Sequence, residues 1–252
     1  MKNNTIKAIF FDFGGTLIDS DSDKVAHFHM METLKQHFQL SVSAKELVNL
    51  YHAQLFNQDM TLRDKDAQNS FTPLRLDSEK AFRSILNQFG VSIYPSDLKW
   101  LNQNHLMNHI KYIQLFAETK SVLSFIQQKN IHCGIISDID REYQVKQFQA
   151  LQLNSFFHSI TTSEEVQNYK PHSKVFKTAL NKAGCKGQEA IMVGDSYPKD
   201  IIGGKKLGML TVWLKRYTLP QLHPKEKECA DYTIPELGEL IPILQGYDYN
   251  DE

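Results

Sequence analysis

Apolar and polar positions follow two rhythms along this chain. In the first, short unbroken apolar runs stand apart: IKAIFFDF (6–13), IHCGIISD (131–138), EAIMVGD (189–195) and LTVWL (210–214), with a weaker run in HSITTS (158–163). A short continuous apolar run suits a strand covered on both faces, whereas a half-exposed strand alternates. Helical spacing fills the text between these runs. SVLSFIQQKN (121–130) precedes the second, and SKVFKTALNKAG (173–184) precedes the fourth, with Ser173 as the expected N-cap and Gly184 as the expected stop. Strands alternating with helices predict an α/β domain: a parallel sheet with helices on both faces.

The second rhythm occupies residues 20–116. DKVAHFHMMETLKQHF (23–38), AKELVNLYHAQLFNQ (44–58), SEKAFRSILNQFG (78–90) and PSDLKWLNQNHLMNHI (95–110) all carry helical spacing, with no strand-like run among them. An all-α insertion is therefore expected at 20–116, splitting a discontinuous core of 1–19 and 117–252. The polar stretch DMTLRDKDAQNSFTP (59–73) reads as a loop inside it.

Composition narrows the function classes. Lys+Arg is 28 and Asp+Glu is 29, so no bulk charge holds the chain to nucleic acid or to a membrane surface. No apolar run approaches a membrane span, and the N-terminal apolar stretch is too short and too acidic for a signal peptide. The three cysteines, Cys133, Cys185 and Cys229, fit no zinc or redox spacing. Cys133 reads as a small core residue, and a reducing cytoplasm is the expected compartment. The mixed surface composition suits a monomer or a homodimer.

Ligands in open parallel sheets sit outside the carboxyl ends of the strands. Polar residues collect there. The first strand runs into Asp12, followed by the bare turn Gly14-Gly15; the second ends at Ser137-Asp138; the fourth ends at Gly194-Asp195, with Asp200 shortly after; Lys170 lies in YKP (169–171) after the third. Taken singly, each has an ordinary structural reading as a turn acid, a helix cap or a surface lysine. As a set they are equipped for phosphoryl transfer. A carboxylate can attack phosphorus, a divalent cation can offset the repulsion between two anions, and a hydroxyl and an ammonium can hold the remaining phosphate oxygens.

DFGGTL (12–17), ISD (136–138), YKP (169–171) and GDSYPKD (194–200) resemble, in order and in strand context, the four motifs of the haloacid dehalogenase-like superfamily. The resemblance spans the whole chain and implies a Rossmann-like core with a helical cap inserted after the first motif. It implies Asp12 as the nucleophile that forms an aspartyl-phosphate, with Ser137 and Lys170 acting on the phosphate. It also implies phosphate binding by Ser137, Asp138, Lys170 and Gly15, and Mg²⁺ held by Asp12, the Gly14 carbonyl, Asp195 and Asp200. The expected activity is Mg²⁺-dependent hydrolysis of a small phosphate ester.

One position departs from that pattern. Phosphatases of this family carry a second Asp two residues after the nucleophile, as proton donor and water activator; here the position is Gly14. Asp19, Asp21, Asp23, His27, His105 and His109 are the candidate substitutes. Two other readings stay open: a dehalogenase or phosphonate-cleaving enzyme on the same scaffold, the latter needing a cap lysine such as Lys24, Lys35 or Lys45, and a binding protein of little or no activity.

Overall fold

The computed structural model describes residues 5–56, 71–216, 229–247 and 249. Every apolar run of the first rhythm forms a strand: β1 (Ala8–Phe11), β2 (His132–Ser137), β3 (Ser159–Thr162), β4 (Ala190–Gly194) and β5 (Leu210–Leu214), with a sixth, β6 (Tyr232–Ile234), near the end of the chain. They make one sheet in the order β3-β2-β1-β4-β5-β6, with every neighbouring pair parallel. β1 is central, and all four of its residues are buried because neither face meets water.

Chain order runs from β1 outward to β3 on one side, then restarts at β4 and runs outward to β6 on the other. The switch point therefore lies between β1 and β4, where the connections diverge and leave a crevice at the strand ends. Register puts Phe11 beside both Ile135 and Val193, so the residues following β1 and β4 emerge side by side.

The described chain divides into two compact units. The first holds the sheet and comprises Met1–Asp19, Leu115–Asp138 and Leu151–Glu252; the second is helical and comprises Ser20–Gln114 and Ile139–Ala150. In the first, one face of the sheet is packed by the helix Ser173–Ala183, whose Val175, Phe176, Ala179 and Leu180 bury against Phe10, Ile136 and Met192. This helix corrects one expectation. Its N-cap is His172, not Ser173: the imidazole Nδ1 accepts from Lys174 N at 3.2 Å, and Ser173 already occupies the first turn. Gly184 ends the helix in the left-handed conformation at φ 62°, as its sequence position predicts.

The helical unit contains α1 (Ser20–His37), α2 (Ala44–Phe56), α3 (Leu74–Gln88) and α4 (Pro95–Tyr112) around Met30, Leu34, Leu47, Tyr51, Phe82, Ile85 and Leu101. Most of the expected loop at 59–73 lies outside the described residues. The stretch 139–150 joins this unit through a cap. The buried Asp140 carboxylate accepts from the backbone N–H groups of Leu74 and Arg75 at 2.9 and 2.8 Å, satisfying orphan donors at the start of α3. No described helix is long and apolar enough to cross a membrane.

Candidate active site

Asp12 is the first residue beyond β1. Its backbone N–H donates to Val193 O at 2.9 Å, which extends the pairing with β4 and fixes where the side chain departs. The chain then reverses through Gly15, whose φ of +74° and N–H bond to Ile18 O define the turn. A Cβ on Gly15 would lie 2.4 Å from Asp195 Oδ2, so the bare turn is what lets the Asp195 carboxylate lie against this backbone. Gly14 is different: a Cβ there meets nothing within 4 Å.

Lys170 ties the strand ends together. Its buried ammonium donates to Asp12 Oδ1 at 2.6 Å, Asp200 Oδ1 at 2.7 Å and Ile136 O at 3.1 Å, using all three protons. Its backbone N–H donates to Asp138 Oδ1 at 2.9 Å, and Lys199 Nζ donates to Asp138 Oδ2 at 3.1 Å. The Asp138 side chain thus anchors two loops. Asp200 is fully buried; its Oδ2 accepts from Ser196 N at 3.0 Å, and a Cβ on Gly194 would come within 2.2 Å of that same oxygen. Ser137 is buried at the end of β2, in the row of strand ends that carries Asp12.

Three carboxylates converge: one oxygen each from Asp12, Asp195 and Asp200 lies within 4.8 Å of the others. Burial, then the charges of Asp12 and Asp200, push the Asp195 carboxyl up to about 8. Burial also raises Asp200, to about 7, with Lys170 pulling against it and Asp12 adding to it. Burial works against the Lys170 ammonium, yet the carboxylates of Asp12, Asp200 and Asp138 outweigh it and hold its pKa well above the usual lysine value. Three acids share one cation, so the set is short of positive charge. Its donors are hard carboxylate oxygens, the kind Mg²⁺ takes.

Thr16 went unassigned in the sequence. Its Oγ1 lies 3.4 Å from Asp12 Oδ2 and 3.2 Å from Asp195 Oδ1, and accepts from Asp195 N at 3.1 Å. The hydroxyl is four residues beyond Asp12, across the turn that the two glycines allow, and that spacing was the available signal. Lys199 on Asp138 and Trp213, whose Nε1 donates to Asp195 O at 3.0 Å, had no comparable signal because both pairings are long-range. Of the substitute acids, Asp21 is exposed and paired with Lys24 at 2.8 Å. Asp23, His27, His105 and His109 gather with one another inside the helical unit.

A model of the haloacid dehalogenase-like hydrolases matches residues 9–214. The chain is 30% identical to the glyceraldehyde 3-phosphate phosphatase of Pyrococcus furiosus, over 98% of this chain and 96% of that one. It is 25% identical to the pyrophosphatase PpaX of Bacillus pumilus, over 97% and 99%. Among solved structures, the HAD-hydrolase YfnB from Bacillus subtilis, determined with magnesium bound, superposes with a TM-score of 0.74 at 21% identity, covering 96% of this chain and 99% of that one.

Proposed function

The chain belongs to the haloacid dehalogenase-like hydrolases, and from that premise we propose that it is a Mg²⁺-dependent phosphatase of small molecules that works through an aspartyl-phosphate on Asp12. The observation that carries this reading is the convergence of Asp12, Asp195 and Asp200 at the switch point, with Lys170 bridging two of them. Asp12, Asp195 and Asp200, with the Gly14 carbonyl, are the residues that would hold the ion. When bound, it supplies charge neutralisation for two anions that must approach each other.

The remaining chemistry falls to the chain. A carboxylate oxygen of Asp12 attacks phosphorus, and the bond from phosphorus to the leaving oxygen breaks. Ser137 and the backbone at Gly15 and Asp138 hold the other phosphate oxygens. Lys170, bonded to Asp12 Oδ1, holds the carboxylate in place. Water then cleaves the aspartyl-phosphate, releasing phosphate and restoring the carboxylate. Residues 20–116 serve as the substrate-selecting domain, in a cytoplasmic monomer or homodimer.

Gly14 bears on the substrate. With no carboxyl side chain at Gly14 to donate a proton, a poor leaving group such as a sugar alkoxide is expected to depart slowly, whereas a phosphate, acyl or aryl oxide leaving group hardly needs the proton. The relatives' names cover both cases, a triose phosphate and pyrophosphate. Gly14 favours the second kind: anhydrides and activated esters. The test is a panel of pyrophosphate, acyl, aryl and alkyl phosphates, glyceraldehyde 3-phosphate included, assayed with Mg²⁺ and with chelator. Mg²⁺-dependent turnover that ranks with leaving-group quality is expected, as is a burst of product when the second step limits. Full activity in chelator, or turnover of 2-haloacids only, overturns the phosphatase reading.

A further inference from the structure

We propose that the helical unit carries a transition-metal site of its own, in which His27, His105 and His109 ligate a divalent ion of the zinc type and Asp23 supplies the carboxylate. Asp23 and His27 stand one turn apart on α1, and His105 and His109 stand one turn apart on α4. Four-residue spacing puts each pair on one helix face. The two faces meet: ring centroids are 4.9 Å apart for His27–His109, 4.4 Å for His105–His109 and 5.7 Å for His27–His105. One nitrogen from each ring lies within 4.8 Å of the other two.

The hydrogen bonds around the rings set their tautomers. His109 Nδ1 lies 2.9 Å from the carbonyl oxygen of His105, which can only accept, so Nδ1 carries the proton. A neutral ring then points the lone pair of Nε2 at Asp23 Oδ1, 3.2 Å away. Two lone pairs do not attract, so a proton or a metal ion must lie between them. An ion with bonds of about 2.0–2.1 Å in tetrahedral geometry sets its ligand atoms roughly 3.3–3.4 Å apart, close to this edge.

His105 is prepared in the same way. Tyr143 OH lies 3.0 Å from its Nδ1 and donates to Asn102 O at 3.3 Å, so it accepts the Nδ1 proton and leaves Nε2 with its lone pair. Tyr51 OH lies 3.2 Å from that Nε2 but has Ser78 Oγ at 2.9 Å as an acceptor, and can release the ring to a metal. His27 Nδ1 faces Asp23 Oδ2 at 3.7 Å and His52 Nε2 at 3.2 Å. Burial keeps both His27 and His105 below their ordinary pKa, which suits them to bind metal as neutral imidazoles. The half-exposed carboxylate of Asp23 gives an ion a way in. Imidazole donors select zinc, cobalt or nickel, where the oxygen set at the sheet edge selects magnesium.

The test loads the full-length, chelator-stripped chain with Zn²⁺ and separately with Co²⁺. One zinc per chain is expected to persist in Asp195→Asn and to be lost in the His27→Gln/His109→Gln double variant, with Co²⁺ giving the intense visible bands of a tetrahedral nitrogen site. Equal zinc in the double variant and the parent overturns the proposal. So does a parent that holds no zinc at micromolar free metal, which would leave a plain His109–Asp23 ion pair. Should the double variant fail to fold, the parent alone decides: zinc must shift the ring resonances of His27, His105 and His109, and unmoved resonances overturn the site.

Discussion

At the sheet edge, Asp12, Asp195 and Asp200 reach one point from the loops after β1 and β4. In the helical unit, Asp23, His27, His105 and His109 reach another from the packed faces of α1 and α4. The first group uses short side chains whose positions are set by backbone bonds, by glycines with no Cβ in the way, and by one lysine. The second uses side chains held by their own second nitrogens. The energetics differ too. The three carboxylates repel one another, and Lys170 offsets part of that charge, while the imidazole rings pack face to face and edge to face beside one carboxylate. The first kind gathers like charges at one point. The second kind gathers rings and one acid, with a proton or a metal ion needed on the His109–Asp23 edge.

The largest break in this contrast is Asp12→Asn. It keeps the side chain's shape and removes the attacking charge. Phosphatase turnover is expected to fall to background with the far-UV spectrum unchanged, and substantial turnover in this variant would rule out nucleophilic attack by Asp12. A restoring change comes next. Nothing lies within 4 Å of a Cβ at Gly14, so the backbone there leaves room for the first atom of a side chain, and the variant is Gly14→Asp. Turnover of alkyl phosphates is expected to rise by about 10²–10⁴, the usual value of general acid help, and the burst should vanish. Efficient alkyl phosphate hydrolysis by the parent, with no burst, would instead show that another residue supplies the proton.

The two clusters were unequally legible in the sequence. The carboxylate site could be read because strand ends of a parallel sheet point to one edge, so Asp12, Ser137 and Asp195 needed only the strand assignments to be placed together. Lys170 and Asp200 followed from the motifs. Thr16 was overlooked although it stands four residues from Asp12, because a hydroxyl in a turn usually serves the turn. The imidazoles were each visible, and His27, His105 and His109 were singled out, yet their meeting depends on how α1 packs on α4, and helix periodicity gives a face without its partner. The N-cap at His172 rather than Ser173 is a local miss of the same origin: both residues can cap, and the backbone decided.

Tyr143→Phe sharpens the comparison at the imidazoles. It removes the acceptor that fixes the His105 tautomer and leaves every proposed ligand in place. Loss of a partner of this kind costs roughly 10–100-fold in metal affinity. Zinc titration should show that weakening with Mg²⁺-dependent turnover requirements at the carboxylates unchanged. Unaltered zinc affinity would remove Tyr143 from the design.

The smallest effect concerns pH, and here the clusters should pull in opposite directions. The folded Asp200 and Asp195 carboxyls stand at about 7 and about 8, against 3.8 when unperturbed. Between those limits the metal-free folded chain binds more protons than the unfolded one, so these two groups lower stability as pH rises. His27 is the reverse. Burial lowers it from 6.5 to about 4, with Asp23 opposing and His109 and His52 adding to the shift. Its contribution is lost as pH falls through that interval, because the unfolded chain then binds the extra proton. Below 6.5 the two trends offset each other; from 6.5 to 8, of these three groups, Asp195 and Asp200 act. In chelator the melting temperature should therefore decline over pH 6.5–8, by a few degrees at the scale of about 2–4 °C per kcal/mol for a chain near this size. Asp195→Asn should flatten that decline, and so should Mg²⁺, which favours the ionised carboxylates. His27→Gln should leave it alone and act only on the acid side. A flat melting profile from pH 6.5 to 8 in chelator would mean that the three carboxylates are already balanced by Lys170.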